Sequence, residues 1–183
     1  KGHNFPHLTF VGVVDGDLSL GGGDIRAGER TYQTLVQVAG RAGRADKPGT
    51  ALIQTHMPDH EALAALAAGD REGFISAELM MREILGLPPY GKLAAIIISA
   101  PDAAKANEFA KQVINAAPKA DGIEILGPSE APITILRGRH RRRLLIKAEA
   151  NVNLSAYMQA WKSRLKPPHK TKFAIDIDPQ GFM

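Results

Sequence analysis

The most informative absence in this sequence of 183 residues is cysteine, of which there is none. A disulfide framework and any metal site built on thiolates are therefore excluded within it. No apolar run of about 18 residues occurs, so the sequence predicts no membrane-spanning helix. Residues 1–6 contain neither an initiating methionine nor the apolar core of a signal peptide, and we expect the chain to be cut from a longer protein.

The composition describes a folded chain with two unlike halves. Hydrophobic residues make up 44% of the chain and aromatic residues 5%, which is enough to bury one large core or two small ones. Residues 1–88 contain 8 Lys+Arg against 11 Asp+Glu, whereas residues 89–183 contain 15 against 8. The basic second half favours a polyanionic partner.

Two apolar, β-rich stretches lie near the start of the chain. Residues 8–14 predict a buried parallel strand and residues 50–56 a second strand. A helix between them would complete a right-handed crossover unit. Asp15 and Asp17 follow the first strand, at the edge where open α/β sheets bind ligands. Two interpretations stay open, because one of these aspartates could face a nucleotide or both could serve a turn.

The predicted helix between these strands has a polar face and an apolar face. At about 100° per residue, Gln37, Arg41 and Arg44 fall within about 60° of one another. Tyr32 and Leu35 fall on the opposite face. One side of the helix can therefore be buried while the other presents two guanidinium groups and an amide.

Two glycines interrupt the end of this helix. Gly40 and Gly43 would each cost a helix about 1 kcal/mol relative to alanine, which indicates that a backbone or a ligand approaches closely there. Two permanently charged, fork-shaped donors are suited to a phosphate. A surface arginine pair on an amphipathic helix is the alternative.

Several motifs in the chain resemble those of one protein family. The pattern Gln-x-x-Gly-Arg-x-Gly-Arg at residues 37–44 resembles motif VI of superfamily 2 helicases. Residues 2–6, Gly-His-Asn-Phe-Pro, resemble the end of helicase motif V as found in the primosomal protein N-prime (PriA) family of bacterial replication-restart helicases. Residues 24–30 and the Leu-Pro-Pro-Tyr sequence at 87–90 also resemble this family. The chain therefore resembles a C-terminal fragment of such a helicase.

This resemblance implies roles for individual residues. Arg41 and Arg44 would reach the γ-phosphate of ATP, held with Mg²⁺ mainly by a preceding lobe, and stabilise the charge that develops during hydrolysis. The resemblance also places Gln37, Gly40 and Gly2 near the nucleotide and His3 and Phe5 near the DNA strand, and Asp15 joins the nucleotide group by its position after the first strand. The family carries zinc-binding cysteines upstream, whereas we expect no metal site in this segment.

The middle of the chain predicts two helices and a boundary. Residues 59–69 form the first helix, capped by Asp59, and residues 71–85 the second. The second helix carries an apolar stripe, in which the methionine pair at 80–81 is interpreted as core filler. The proline pair at 88–89 prevents the helix from continuing and marks the predicted domain boundary.

The second half alternates between strands and helices. Strands are predicted at residues 93–99, 123–128, 133–136, 143–148 and 173–179, and helices at 102–117 and 154–165. Asp102 caps the first of these helices. This order predicts a split βαβ arrangement, with helices on an antiparallel sheet, which is ferredoxin-like and resembles a small-subunit ribosomal protein fold.

The predicted fold class is therefore α/β, with three parts. Residues 1–57 are the C-terminal part of a RecA-like helicase lobe 2 with a parallel sheet, as the resemblance implies. Residues 58–88 are a helical connector, and residues 89–183 are a basic α+β domain that binds DNA or partner proteins.

The densest charge lies at the predicted hairpin turn around residues 137–142. It comprises His140 and the arginines Arg137, Arg139, Arg141, Arg142 and Arg143. A basic hairpin tip can follow phosphates, and we expect this one to contact the DNA backbone at a fork. The alternative is a solvated turn, because no aromatic residues are interleaved for base stacking.

As a whole, the sequence predicts the C-terminal part of an ATP-dependent 3′-to-5′ DNA helicase that restarts replication at stalled forks. The implied partners are forked and single-stranded DNA, single-stranded-DNA-binding protein and primosome proteins, in a cytoplasmic, nucleoid-associated setting. The fragment alone is not expected to hydrolyse ATP, because a phosphate-binding Gly-Lys-Ser/Thr loop is missing from it. The alternative is a module without motor activity that binds nucleic acid or docks replication proteins.

Overall fold

The computed structural model describes residues 8–18, 20, 24–43 and 48–179. The chain forms two compact units, Lys1–Leu79 and Met80–Met183. The predictions made for Gly2, His3, Phe5 and Arg44 lie outside the described residues. Nowhere in those described ranges is a helix both long enough and apolar enough to cross a membrane.

The first unit is built on a parallel strand pair. Its elements in chain order are β1 (Phe10–Val13), α1 (Ala27–Ala39), β2 (Thr50–Ile53) and α2 (Glu61–Ala68), followed by α3 (Arg71–Ile84), which begins in this unit. Strands β1 and β2 pair in parallel, with Phe10 opposite Thr50 and Val13 opposite Ile53. The predicted strand, helix and strand are confirmed. The sheet in the described part of the chain has these two strands alone.

The prediction that the first strand is buried is wrong. The burial pattern along β1 alternates between exposed and intermediate, and Phe10 is 56% exposed. Val14, placed in the same predicted strand, is 80% exposed and lies beyond its end. A parallel strand is buried on both faces when helices cover both faces of its sheet, and the exposure along β1 shows that it is not covered in this way.

A small core holds the helices of the first unit together. Tyr32, Ala62 and Phe74 form a buried cluster, and the rings of Tyr32 and Phe74 stack with centroids 4.4 Å apart. Leu35 is also buried, as predicted from its position on the apolar face of α1. This core explains why α1 stays in place when most of β1 and β2 is exposed.

Two details of the helices differ from prediction. The N-cap of α2 is His60, whose Nδ1 accepts a hydrogen bond from the N–H of Ala62 at 3.2 Å, so the assignment of the cap to Asp59 is wrong. The helix begins later because a turn, closed by the His60 N–H and the Met57 carbonyl, precedes it. The methionine pair of α3 is exposed, with Met80 at 63%, so its interpretation as core filler is wrong. Helical spacing determines which side chains share a face but not whether that face is covered.

The second unit has the predicted split βαβ order. Its elements are β3 (Gly91–Ala100), α4 (Ala103–Asn115), β4 (Ile123–Leu136), β5 (Arg139–Glu149), α5 (Leu154–Ser163) and β6 (Lys172–Ile177). The sheet has the order β4-β5-β3-β6, and all neighbours in it are antiparallel. The two strands predicted at residues 123–128 and 133–136 are one strand, β4, whose register shifts twice against β5.

One face of this sheet and its two helices enclose the main core. Its fully buried members include Ile96, Phe109, Leu144, Met158 and Trp161. The indole Nε1 of Trp161 donates to the carbonyl of Val113 at 2.9 Å, so the one polar group of this large side chain is satisfied inside the core. The buried faces predicted for both helices and the cap at Asp102, which accepts from the N–H of Lys105 at 2.8 Å, are confirmed.

A matched pair of isoleucines tests where the core of this unit ends. Ile96→Ala removes a fully buried side chain, and we expect it to lower the free energy of unfolding by about 2–5 kcal/mol. Ile135 is 54% exposed on β4, and Ile135→Ala should change that free energy by less than about 0.5 kcal/mol. Urea titration followed by the fluorescence of Trp161, the one tryptophan of the chain, measures both. Equal losses would contradict this description of the core.

Candidate functional site

Both glycines identified in the sequence, Gly40 and Gly43, and the first arginine, Arg41, lie at the end of α1. The helix ends at Ala39, and Gly40 is its C-cap with a φ of −67°. Arg41 therefore lies one residue past the cap, and its predicted place on the face of the helix is wrong. Gln37 is exposed on α1, as predicted, whereas Arg44 lies outside the described residues. We call residues 40–43 the arginine turn.

The backbone of the arginine turn is tied down at several points. The N–H of Gly40 donates to the carbonyl of Val36 at 2.9 Å, and that of Arg41 to the carbonyl of Val38 at 3.1 Å. The N–H of Gly43, in the residue that closes the turn, donates to the carbonyl of Leu8 at 2.9 Å. Arg41 itself is exposed. The turn thus presents the exposed side chain of Arg41 from a fixed backbone, which is a suitable arrangement for binding an anion.

Of the two glycines in the turn, one is required by its backbone conformation. Gly43 has a φ of 74°, in the left-handed region that residues with a side chain rarely adopt. Gly40 has an ordinary helical φ, so its conformation does not require glycine, but a Cβ atom there would meet the backbone carbonyl oxygen of Val36 at 3.1 Å, which is the close backbone approach expected at this end of the helix. Gly49, which follows the turn, also lies against its backbone, since a Cβ atom on Gly49 would fall 2.6 Å from the carbonyl oxygen of Ala42.

The structure places Asp15 and Arg41 at opposite ends of β1. Gly43 bonds to Leu8, before the strand begins, whereas Asp15 follows the end of the strand at Val13. The carboxylate of Asp15 accepts from the N–H of Asp17 at 2.9 Å, which is turn chemistry. Of the two interpretations left open for Asp15, its hydrogen bond supports the turn. The fold does not bring it beside Arg41.

Asp17 connects the carboxyl ends of the two parallel strands. Its carboxylate accepts from the hydroxyl of Thr55 and from the N–H of His56, the latter at 2.7 Å. These bonds, the Thr55 hydroxyl first, lower the pKa of the Asp17 carboxyl below its ordinary value. Sequence reasoning missed Thr55, because its contact joins residues far apart in the chain.

A pair of substitutions at Thr55 tests this connection. Thr55→Val removes the hydroxyl donor, and we expect the pKa of Asp17 to rise toward its ordinary value, whereas Thr55→Ser should keep it low. The measurement is a pH titration of the Asp17 carboxyl carbon by NMR. Because the native bonds favour the ionised form, their stabilisation is present above the ordinary pKa and is lost as the pH falls through the lowered one. The same titration curve in both variants would contradict the assignment.

The arginines of the second unit are distributed differently from the prediction. The turn between β4 and β5 consists of Arg137 and Gly138, so Arg137 is the arginine at its tip, and it is exposed. Arg139 begins β5, and its guanidinium donates to the hydroxyl and the carbonyl of Ser99, each at 2.8 Å. It also donates to the carbonyl of Lys170 at 2.6 Å.

The other arginines of this group lie further along β5. Arg141 and Arg142 are 7% and 8% exposed, and Arg143 is half-buried. Arg142 donates to the side chain of Asn107 and pairs with Glu130 at 3.5 Å. The prediction of four of these arginines at a hairpin tip is therefore wrong, because the turn ends at Gly138. The four lie in β5 and are Arg139, Arg141, Arg142 and Arg143.

A second basic segment, missed in the sequence, lies beside this turn. The contact between Arg139 and Lys170 brings residues 164–172, which follow α5, next to the start of β5. This segment carries the exposed side chains of Lys166 and Lys170. With Arg137 they form what we call the basic end of the second unit. In the described parts of the chain, no group of three or more His, Cys, Asp or Glu side chains is placed to hold a metal ion.

Known proteins resemble the chain along its whole length. A family model described as the primosomal protein N C-terminal domain matches residues 83–180. The replication restart protein PriA of Rickettsia conorii is 42% identical over 182 residues, which cover 100% of this chain and 28% of that protein. The proteins of the same name from Haemophilus influenzae and Bacillus subtilis are 36% and 35% identical, with 25% and 23% of their lengths covered. The chain thus spans about a quarter of the length of the curated relatives it matches.

Proposed function

Since this chain belongs to the primosomal protein N C-terminal domain family, we propose that it is the C-terminal part of an ATP-dependent 3′-to-5′ superfamily 2 DNA helicase that restarts replication at stalled forks. The names of its relatives, replication restart protein PriA, support this proposal. The observation that carries it in the structure is the exposed Arg41 on a fixed turn. The complete protein would bind forked and single-stranded DNA, and primosome proteins and single-stranded-DNA-binding protein remain proposed partners.

The proposal assigns a role to each part of the chain. Residues 1–57 belong to a RecA-like lobe, an assignment supported by the parallel β1-α1-β2 crossover. Residues 58–88 connect this lobe to the basic domain of residues 89–183. Arg44, Gln37, Gly40 and the segment from Gly2 to Phe5 keep the nucleotide and DNA roles that the family resemblance implies.

Arg41 is proposed to stabilise negative charge on the γ-phosphate of ATP during hydrolysis. A guanidinium is charged at every physiological pH and can donate two parallel hydrogen bonds to phosphate oxygens. ATP and Mg²⁺ would be held mainly by the rest of the complete protein. What this chain adds is a donor whose backbone is fixed before the nucleotide arrives, so that little reorganisation is needed when charge develops.

The role of Arg41 predicts a specific kinetic defect. In the complete protein, Arg41→Ala should lower kcat for DNA-stimulated ATP hydrolysis by about 10³-fold, because a charge-stabilising arginine acts chiefly in the transition state. The KM for ATP should change far less. Arg71, exposed on α3, supplies the control, and Arg71→Ala should leave both constants unchanged. An equal effect of both substitutions, or none from Arg41→Ala, would refute the role.

The chain by itself is proposed to be inactive as an ATPase. The family holds the nucleotide mainly with residues that these 183 do not include, so an arginine alone has no bound phosphate to act on. We expect the isolated chain to release no phosphate from ATP in the presence of forked DNA. A phosphate release that depends on Arg41 would show that the chain contains a complete site.

The basic end of the second unit is proposed to contact DNA phosphates. Its exposed cations include Arg137, Lys166 and Lys170, which are better able to reach DNA than the buried Arg141 and Arg142. The excess of basic residues after position 88 favours the same partner. It equally favours the alternative, a nucleic-acid-binding module without motor activity. Preference for a fork with a free 3′ end supports the helicase, whereas preference for structured RNA supports the module.

The salt dependence of fork binding tests the basic end. Each phosphate contact contributes about 0.9 to the slope of log K against log salt concentration, so Arg137→Ala and Lys170→Ala should each reduce the slope by about 1. Lys119 follows α4 at the opposite end of the sheet, and Lys119→Ala should leave the slope unchanged. Fluorescence anisotropy with a labelled fork measures all three variants of the complete protein. Equal slopes throughout would remove the basic end from the proposal.

A further inference from the structure

Gly49, the residue before β2, lies against the backbone of the arginine turn. A Cβ atom placed on Gly49 would fall 2.6 Å from the carbonyl oxygen of Ala42, and nearer still to the Ala42 carbonyl carbon and the Gly43 nitrogen. These three atoms belong to a single peptide group, the one that joins Ala42 to Gly43. A peptide group cannot turn aside as the end of a flexible side chain can, so any side chain at position 49 must displace the turn or the strand.

Both sides of this contact are anchored to the same short segment. The N–H of Gly43 donates to the carbonyl of Leu8 at 2.9 Å, and the N–H of Thr50 donates to the carbonyl of Thr9 at 2.8 Å. Because Leu8 and Thr9 are adjacent, the turn and the start of β2 are hydrogen-bonded to neighbouring carbonyl groups. Moving Gly49 away from the turn strains the bond at Thr9, and moving the turn away from Gly49 strains the bond at Leu8.

We propose that Gly49 is a positioning residue for Arg41. The absence of a side chain at position 49 lets the Ala42–Gly43 peptide settle against the amino ends of the strands, and this fixes the backbone that carries the Arg41 guanidinium. Gly49 contacts neither nucleotide nor DNA in this proposal and acts through the turn alone. The inference rests on the proposed role of Arg41 in ATP hydrolysis.

Gly12 in β1 provides a matched control. A Cβ atom on Gly12 would meet the Cε1 atom of Phe10 at 3.7 Å, an ordinary van der Waals contact. Gly12→Ala therefore adds the same methyl group to the neighbouring strand without pressing on the arginine turn.

The experiment is steady-state ATP hydrolysis by the complete protein with saturating forked DNA. Gly49→Ala should lower kcat by about 10-fold or more, since a misplacement of about 1 Å can cost as much as 100-fold, while the KM for ATP changes by less than about threefold. Gly12→Ala should leave both constants unchanged. The double variant Gly49→Ala/Arg41→Ala should be no slower than Arg41→Ala alone, because a contribution already lost cannot be lost again.

The other possible results of this experiment distinguish a failure of the inference from a failure of the proposed function. A normal kcat in Gly49→Ala, together with a low kcat in Arg41→Ala, overturns the inference and leaves the proposed function standing. Losses that multiply in the double variant also overturn it, since Gly49 would then act by another route. A normal kcat in Arg41→Ala removes the proposed role of that arginine and the inference with it.

A second variant covers the case in which Gly49→Ala does not fold, as judged by circular dichroism. Gly43→Ala disturbs the same peptide group from its other side, because alanine does not readily adopt a φ of 74°. It should lower kcat in the same manner and show no further loss when combined with Arg41→Ala. A normal kcat, or losses that multiply, would overturn the inference on this route as well.

Discussion

The position of the candidate site depends on one topological constraint, the parallel pairing of β1 and β2. Two parallel strands cannot be joined by a tight turn, so the chain must return from the carboxyl end of β1 to the amino end of β2. Helix α1 makes that return, and the residues after it therefore arrive at the amino ends of the strands. The hydrogen bond from the N–H of Gly43 to the carbonyl of Leu8 fixes the end of this crossover beside the start of β1. Arg41 is at that edge because the crossover ends there.

The same constraint separates the two polar features that the sequence placed near a single nucleotide. Asp15 leaves β1 at its carboxyl end, whereas Arg41 returns at its amino end. The carboxylate of Asp17 joins the carboxyl edge by accepting from Thr55 and His56, and backbone hydrogen bonds join the amino edge in the described residues. A side-chain carboxylate thus holds one edge, while at the other edge the side chain of Arg41 is exposed and available to an anion.

Sequence patterns predicted the elements well and their ends poorly. Apolar patterns identified the crossover and both helices of the second unit, and the residue type at the start of the first of these helices identified the cap at Asp102, because all of these depend on neighbours in sequence. The face assigned to Arg41 was wrong, because the helical wheel was extended past Gly40, a residue that typically ends a helix. The sequence does not single out Gly49, since the peptide group that it touches lies beside it only after folding.

The arginines of the second unit show why charge density in a sequence does not locate a binding surface. In a strand, neighbouring side chains point to opposite faces, so a run of arginines is divided between the two sides of the sheet. Within the unit, Arg142 donates a hydrogen bond to Asn107 and pairs with Glu130, and Arg139 donates a hydrogen bond to Ser99. What remains exposed is the side chain in the tight turn, Arg137, together with lysines from a distant segment.

Both units therefore follow one physical rule. A guanidinium is available to an external phosphate where the backbone has just left a regular element, because there the side chain has no partner on an adjacent turn or strand. The backbone must still be held, or the entropy of ordering the arginine would offset the bond it makes. Arg41 meets both conditions through the bonds of its turn, whereas the arginines inside β5 meet only the second. The close approach of Gly49 matters for this reason, since it holds the backbone of the turn without engaging the guanidinium.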